Sequence, residues 1–115
     1  MDSISLTAVV DEQLARARQS SSGRAAQTIY GGHDHFLRQT VIAIVAGHEL
    51  GEHLSPGEAT LQVLQGTVQV NAGGDSWQGA VGDFLVIPGG RHSLDAVEDS
   101  AVLLSVRADS RDGTR

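Results

Sequence analysis

The feature that most constrains this chain is a succession of short β-branched and aliphatic segments, each cut off by turn residues. Residues 40–45 (TVIAIV) stop just before Gly47, residues 59–65 stop at Gly66, and residues 67–70 run into Asn71-Ala72-Gly73-Gly74. Residues 84–87 run into Pro88-Gly89-Gly90, and residues 92–97 and 101–106 close the series. Segments this short, with turns at such close spacing, predict the strands of an all-β sandwich or barrel. Residues 67–70 and 92–97 alternate apolar with polar, the period of a strand with one covered face. Several of the segments lack clean alternation, as expected where both faces are covered, the extra face being covered by the N-terminal helix or a second subunit.

The N-terminal part reads differently. Residues 9–18 (VVDEQLARAR) carry helix formers, with acids preceding bases. Val10, Leu14 and Ala17 fall at helical spacing. A short helix on the outside of the domain is expected, a frayed tail being the alternative, and Ser20-Ser21-Ser22-Gly23 ends it. The chain of 115 residues suits one domain with a modest core. The expected division is an N-terminal helical extension over 1–24, a β-barrel domain over 25–107 and a disordered polar tail over 108–115.

Charge and composition exclude several functions. The net charge of -6 makes phosphate backbones and anionic lipid poor partners, so neither nucleic acid nor membrane is expected. No stretch approaches the roughly 18 apolar residues that span a bilayer. No basic flank precedes an apolar run at the N-terminus, which gives a cytoplasmic location as the expectation. With no cysteine, disulfides, thiolate ligands and thiol nucleophiles are absent. All eight basic residues are arginine, so Schiff-base chemistry and lysine bases are absent too. Five histidines, the carboxylates, the hydroxyls and Tyr30 remain. Aromatic residues are only 3% of the chain, too few for a stacking platform.

Two segments carry a family resemblance. Residues 47–59, Gly-His-Glu-Leu-Gly-Glu-His-Leu-Ser-Pro-Gly-Glu-Ala, closing at Gly66, resemble the first motif of the cupins: glycine, five residues, His-x-His, a glutamate and a final glycine. Residues 82–92, from Gly82 through Pro88 and Gly89 to His92, resemble the second, although one residue separates Gly90 from His92 where the family pattern has two. The resemblance covers residues 38–106 and is to the small single-domain cupins. It implies an antiparallel jelly-roll barrel of six to eight strands and a homodimer built on a swapped or shared edge strand, for which residues 41–45 offer an edge that needs covering. Independently of the name, Gly47, Gly66 and Gly82 stand at strand ends, where positive φ is often required.

The resemblance also implies a ligand set, and here the chain departs from it. Carried over by position, the pocket residues are His53, Ser55, Ala59 and His92, so the second histidine is replaced by serine and the glutamate by alanine. Two imidazoles alone rarely hold a divalent ion against water. Glu58 could turn inward as a third ligand beside His53 and His92. Glu49 shares strand parity with His53 but lies roughly 13 Å away along a strand. His33-Asp34-His35 offers a second His-x-His pair, or a solvated polar turn after Gly31-Gly32. His48, of opposite parity to His53, is expected to face out. Trp77 is read as cover for the barrel core or as a ligand or dimer wall, Tyr30 as structural, and Arg91 as pointing away from the interior. Arg38 is read as a surface ion pair, with a carboxylate ligand as the alternative.

No cofactor is firmly implied; a divalent transition metal is the candidate. Three functional readings follow. The first is a non-catalytic barrel that binds a small molecule. The second is a metal-dependent oxygenase or isomerase using His53 and His92. The third is a structural or interaction dimer whose barrel is filled by side chains.

Overall fold

The computed structural model describes the backbone of residues 1–54 and 57–108, and the side chains within those spans except at positions 53, 54, 57 and 108. The chain forms α1 (Leu6–Gln19), β1 (Arg24–Tyr30), β2 (Leu37–Ile44), β3 (Glu49–Leu54), β4 (Gly57–Gln65), β5 (Thr67–Ala72), β6 (Asp75–Ala80), β7 (Phe84–Val86), β8 (Arg91–Ala96) and β9 (Ser100–Ala108). All pairings are antiparallel. One sheet has the order β1-β2-β9-β4-β7 and the other β3-β8-β5-β6. This is the expected jelly-roll, with more strands than anticipated, because β1, β3 and β6 lack a continuous apolar run.

The core sits between the sheets. Ile44, Ala59, Leu61, Val63, Val68, Val70, Leu94, Ala96 and Val102 are buried there. Every second residue of β4 and of β8 contributes, as strand geometry requires. The opposite faces of β2 and β9 present Val41, Ala43 and Ala101 to α1. This explains why residues 40–45 do not alternate: one side meets the barrel core and the other meets the helix. It also corrects the edge-strand expectation, since β2 is paired on both sides, with β1 and with β9.

Helix α1 is longer than its sequence signal. Ser5 caps it by accepting a hydrogen bond from the Ala8 amide at 3.2 Å. Arg16 and Arg18 complement the C-terminal end of its dipole. Val10, Leu14 and Ala17 are buried on the sheet as their spacing predicts. Gln13 is buried with them and donates to the Gln27 side chain at 3.2 Å. Arg18 pairs with Asp99 at 3.0 Å, which ties the helix to the β8–β9 turn. No helix among the described residues is long and apolar enough to cross a membrane. Ala108 belongs to β9, so the strand extends one residue beyond the expected barrel boundary. The rest of the expected tail, residues 109–115, lies outside the described residues.

Candidate functional site

The strand directions gather the β1–β2, β3–β4, β5–β6 and β7–β8 connections at one end of the barrel. The second motif places His92 in β8 near this end, with its side chain 6% exposed. Its neighbours show why: Arg91, Ser93 and Asp95 lie on the outer face, and Leu94 and Ala96 on the inner one. His92 forms one wall of a narrow cavity whose other walls are aliphatic, from Ile42, Leu50, Leu61, Val70, Ile87, Leu94 and Leu104. The space inside amounts to about 10 Å³, room for roughly one water.

The first motif reaches the same end through β3. A register shift between Leu50 and His53 leaves Leu50 opposite Leu94 and His53 opposite His92. A simple alternation count along β3 puts Glu49 on the side of His53. The bulge breaks that count, and Glu49 is exposed opposite Asp95. Ser55 lies outside the described residues. Ala59 is 5% exposed in the core, one position from Glu58, which is exposed and stands opposite Arg107 in the strand register. The glutamate position of the family motif therefore does face the core, and a methyl group occupies it. Glu58 stands on the opposite side of β4.

Among the described residues no three histidine or carboxylate side chains are grouped closely enough to bind one ion. Ala59 supplies no ligand atom, and Glu58 is exposed on the other face. The histidine positions 53 and 92 stand opposite each other in the register.

The remaining candidates disperse. His33 and His35 are exposed in the β1–β2 turn, where His35 packs its ring on Tyr30 with centroids 4.9 Å apart. His48 is exposed at the opposite end, its ring over Gly23. Arg91 is exposed and stands 3.9 Å from Glu52. Trp77 belongs to β6 and packs against the barrel core. Sequence reasoning missed the aliphatic cavity wall, although the alternation in β4 and β8 contains it. It left Arg38 between a surface ion pair and a carboxylate ligand. Arg38 is paired in register with Val106, which packs on the barrel core.

No protein-family model matches the chain, and no curated protein matches it in sequence. Solved structures do match its fold. A conserved protein of unknown function from Streptococcus pyogenes is 29% identical, with 79% of each chain covered and a TM-score of 0.69. A cupin superfamily protein from Desulfitobacterium hafniense is 15% identical over 75% of this chain and 78% of its own, with a TM-score of 0.69. Salicylate 1,2-dioxygenase from Pseudoaminobacter salicylatoxidans, in a complex with gentisate, gives a TM-score of 0.74 at 21% identity; the match covers 85% of this chain but only 31% of the dioxygenase.

Proposed function

The chain has the fold of a small cupin domain, and from that premise we propose that it is a small-molecule-binding barrel whose recognition does not depend on a resident metal. Two observations carry this reading together, the burial of His92 and the burial of Ala59. One buried imidazole is the single polar group in an aliphatic cavity wall, and the position that supplies a carboxylate in metal-binding cupins holds a methyl group. Apolar walls with few polar groups are what small-molecule sites are made of. The free space is small, so an occupant larger than water seats at the mouth and displaces lining side chains. Ile87, which lies in the β7–β8 connection and is held by its amide to the Ala59 carbonyl at 2.9 Å, is the wall placed to move.

The test is elemental analysis and native mass spectrometry of protein purified without an affinity tag. The expected result is a substoichiometric metal content that dialysis against a chelator removes without loss of fold. One tightly held divalent ion per chain overturns the reading.

The narrowness of the cavity favours a second reading, a homodimeric interaction protein with a filled barrel. Phe84 and Val86 are 61% and 67% exposed on β7, an open edge of its sheet. An exposed apolar edge strand is a natural pairing surface. Sedimentation of the wild type beside Phe84→Ser tests this: the reading expects a dimer that the substitution weakens.

A further inference from the structure

Arg38 stands in β2 opposite Val106 of β9, and the same row continues through Ala59 of β4, whose carbonyl accepts from the Ile87 amide. Directly opposed residues of neighbouring strands share a face. Val106 and Ala59 belong to the barrel core. Arg38 therefore leaves the backbone on the barrel side, at the end that holds Ile87 and His92.

Its stem is seated by a glycine. Gly31 has φ of +114°, and a Cβ there would fall 2.9 Å from Arg38 Cγ and 2.7 Å from the Leu37 carbonyl. Arg38 is half-buried. The ion pairs among the described residues join Arg16 to Glu12, Arg18 to Asp99 and Arg91 to Glu52, and Arg38 belongs to none of them. The carboxylates nearest in register give it no partner. Glu58 is exposed on the other face of its sheet, and Asp75, on the barrel side of β6, is exposed at the hairpin tip.

A guanidinium carried on the barrel side of β2, in no ion pair among the described residues, favours an anion. Its best complement is a carboxylate, which it can grip through two parallel hydrogen bonds. A cationic ligand or a divalent ion meets repulsion there. We propose that the mouth of this barrel takes a small monocarboxylate, its head on Arg38 and its short apolar body toward Ile42, Leu104 and Ile87. The proposal rests on the small-molecule reading and adds the charge and chemical class of the ligand.

The experiment is an NMR titration of the isotopically labelled full chain with benzoate and hexanoate, each beside its neutral amide, benzamide and hexanamide. Wild type, Arg38→Gln and Arg38→Lys are compared, with circular dichroism and Trp77 emission as checks on folding. The carboxylates are expected to give saturable shifts in the β2, β8 and β7–β8 resonances and to bind about tenfold or more tightly than the amides. Arg38→Gln is expected to remove that advantage, and Arg38→Lys to keep part of it. Equal binding of carboxylate and amide to the wild type overturns the monocarboxylate assignment and leaves the pocket standing, whether or not Arg38→Gln folds. Carboxylate affinity undiminished in a folded Arg38→Gln does the same. Absence of any shift at these strands with all probes overturns both the assignment and the small-molecule reading beneath it.

Discussion

His53 stands directly opposite His92 in the antiparallel pairing of β3 with β8. The relationship depends on one extra residue. From Leu50 to His53 is three steps, and from Leu94 to His92 only two, so β3 carries a bulge. Without it Glu52 would take the place opposite His92. The bulge thus sets two imidazole-bearing positions side by side on neighbouring strands, across the barrel from the buried Ala59.

That arrangement can be completed. Ala59→Glu returns a carboxylate to a core-facing position and should raise affinity for nickel or cobalt well above that of the wild type, by a two-imidazole, one-carboxylate set. Without metal the variant should be less stable by roughly 1–3 kcal/mol, because the carboxyl group is buried with few partners. Calorimetric titration and thermal melts with and without chelator check both. No gain in metal affinity means that the two histidine positions and Ala59 do not share an interior.

A second prediction concerns the turn that joins the sheets. Gly66 has φ of +79°, and an added Cβ would overlap the Asp99 carbonyl and Ser100 Oγ. Ser100 is buried, and its hydroxyl accepts from the Thr67 amide at 3.0 Å while lying 3.0 Å from the Thr67 carbonyl and 2.7 Å from the Glu98 carbonyl. Gly66→Ala is expected to destabilise by about 1–3 kcal/mol through backbone strain, and Ser100→Ala by about 1–3 kcal/mol by orphaning the Thr67 amide. Since both changes disturb one turn, the double variant should lose less than the sum in chemical denaturation.

The barrel end motifs were legible in the sequence because glycines and alternating apolar residues have local causes. The helix was legible from Val10, Leu14 and Ala17, and His92 from its parity with Leu94 and Ala96. The bulge in β3 was not: Gly51, between Leu50 and His53, is a residue that can mark one, but the register follows only from pairing with β8. The side of β2 that carries Arg38 was not legible for a related reason: which side faces the barrel is decided by α1 covering Val41 and Ala43, a tertiary fact. Residues 41–45 were read as an edge because a run apolar on both sides does not say which neighbours cover it.

Trp77 provides an optical reporter. Its ring lies over Gly79 so closely that a Cβ there would overlap it. Gly79→Ala is expected to push the indole outward and shift its emission to the red, with a stability loss of roughly 1–3 kcal/mol from the displaced packing. Unchanged emission would show that the ring does not rest on that strand.

The tie between α1 and the β8–β9 turn is pH-sensitive. The Ala46 amide, at 2.9 Å, and the Arg18 guanidinium, at 3.0 Å, hold the Asp99 carboxyl below its ordinary value. A carboxylate whose folded pKa is depressed contributes stability above its unfolded pKa and loses it as pH falls through the folded pKa. The melting temperature of Asp99→Asn should therefore lie below that of the wild type at neutral pH. The gap should close as the pH drops below the usual carboxylate range, and added salt should narrow it.

The most direct measurement is the imidazole NMR spectrum of His92 during titration with small organic ligands in the presence of a strong chelator. Metal-independent recognition predicts saturable shifts of the His92 ring resonances under those conditions. Shifts that appear only after a divalent ion is restored would contradict it.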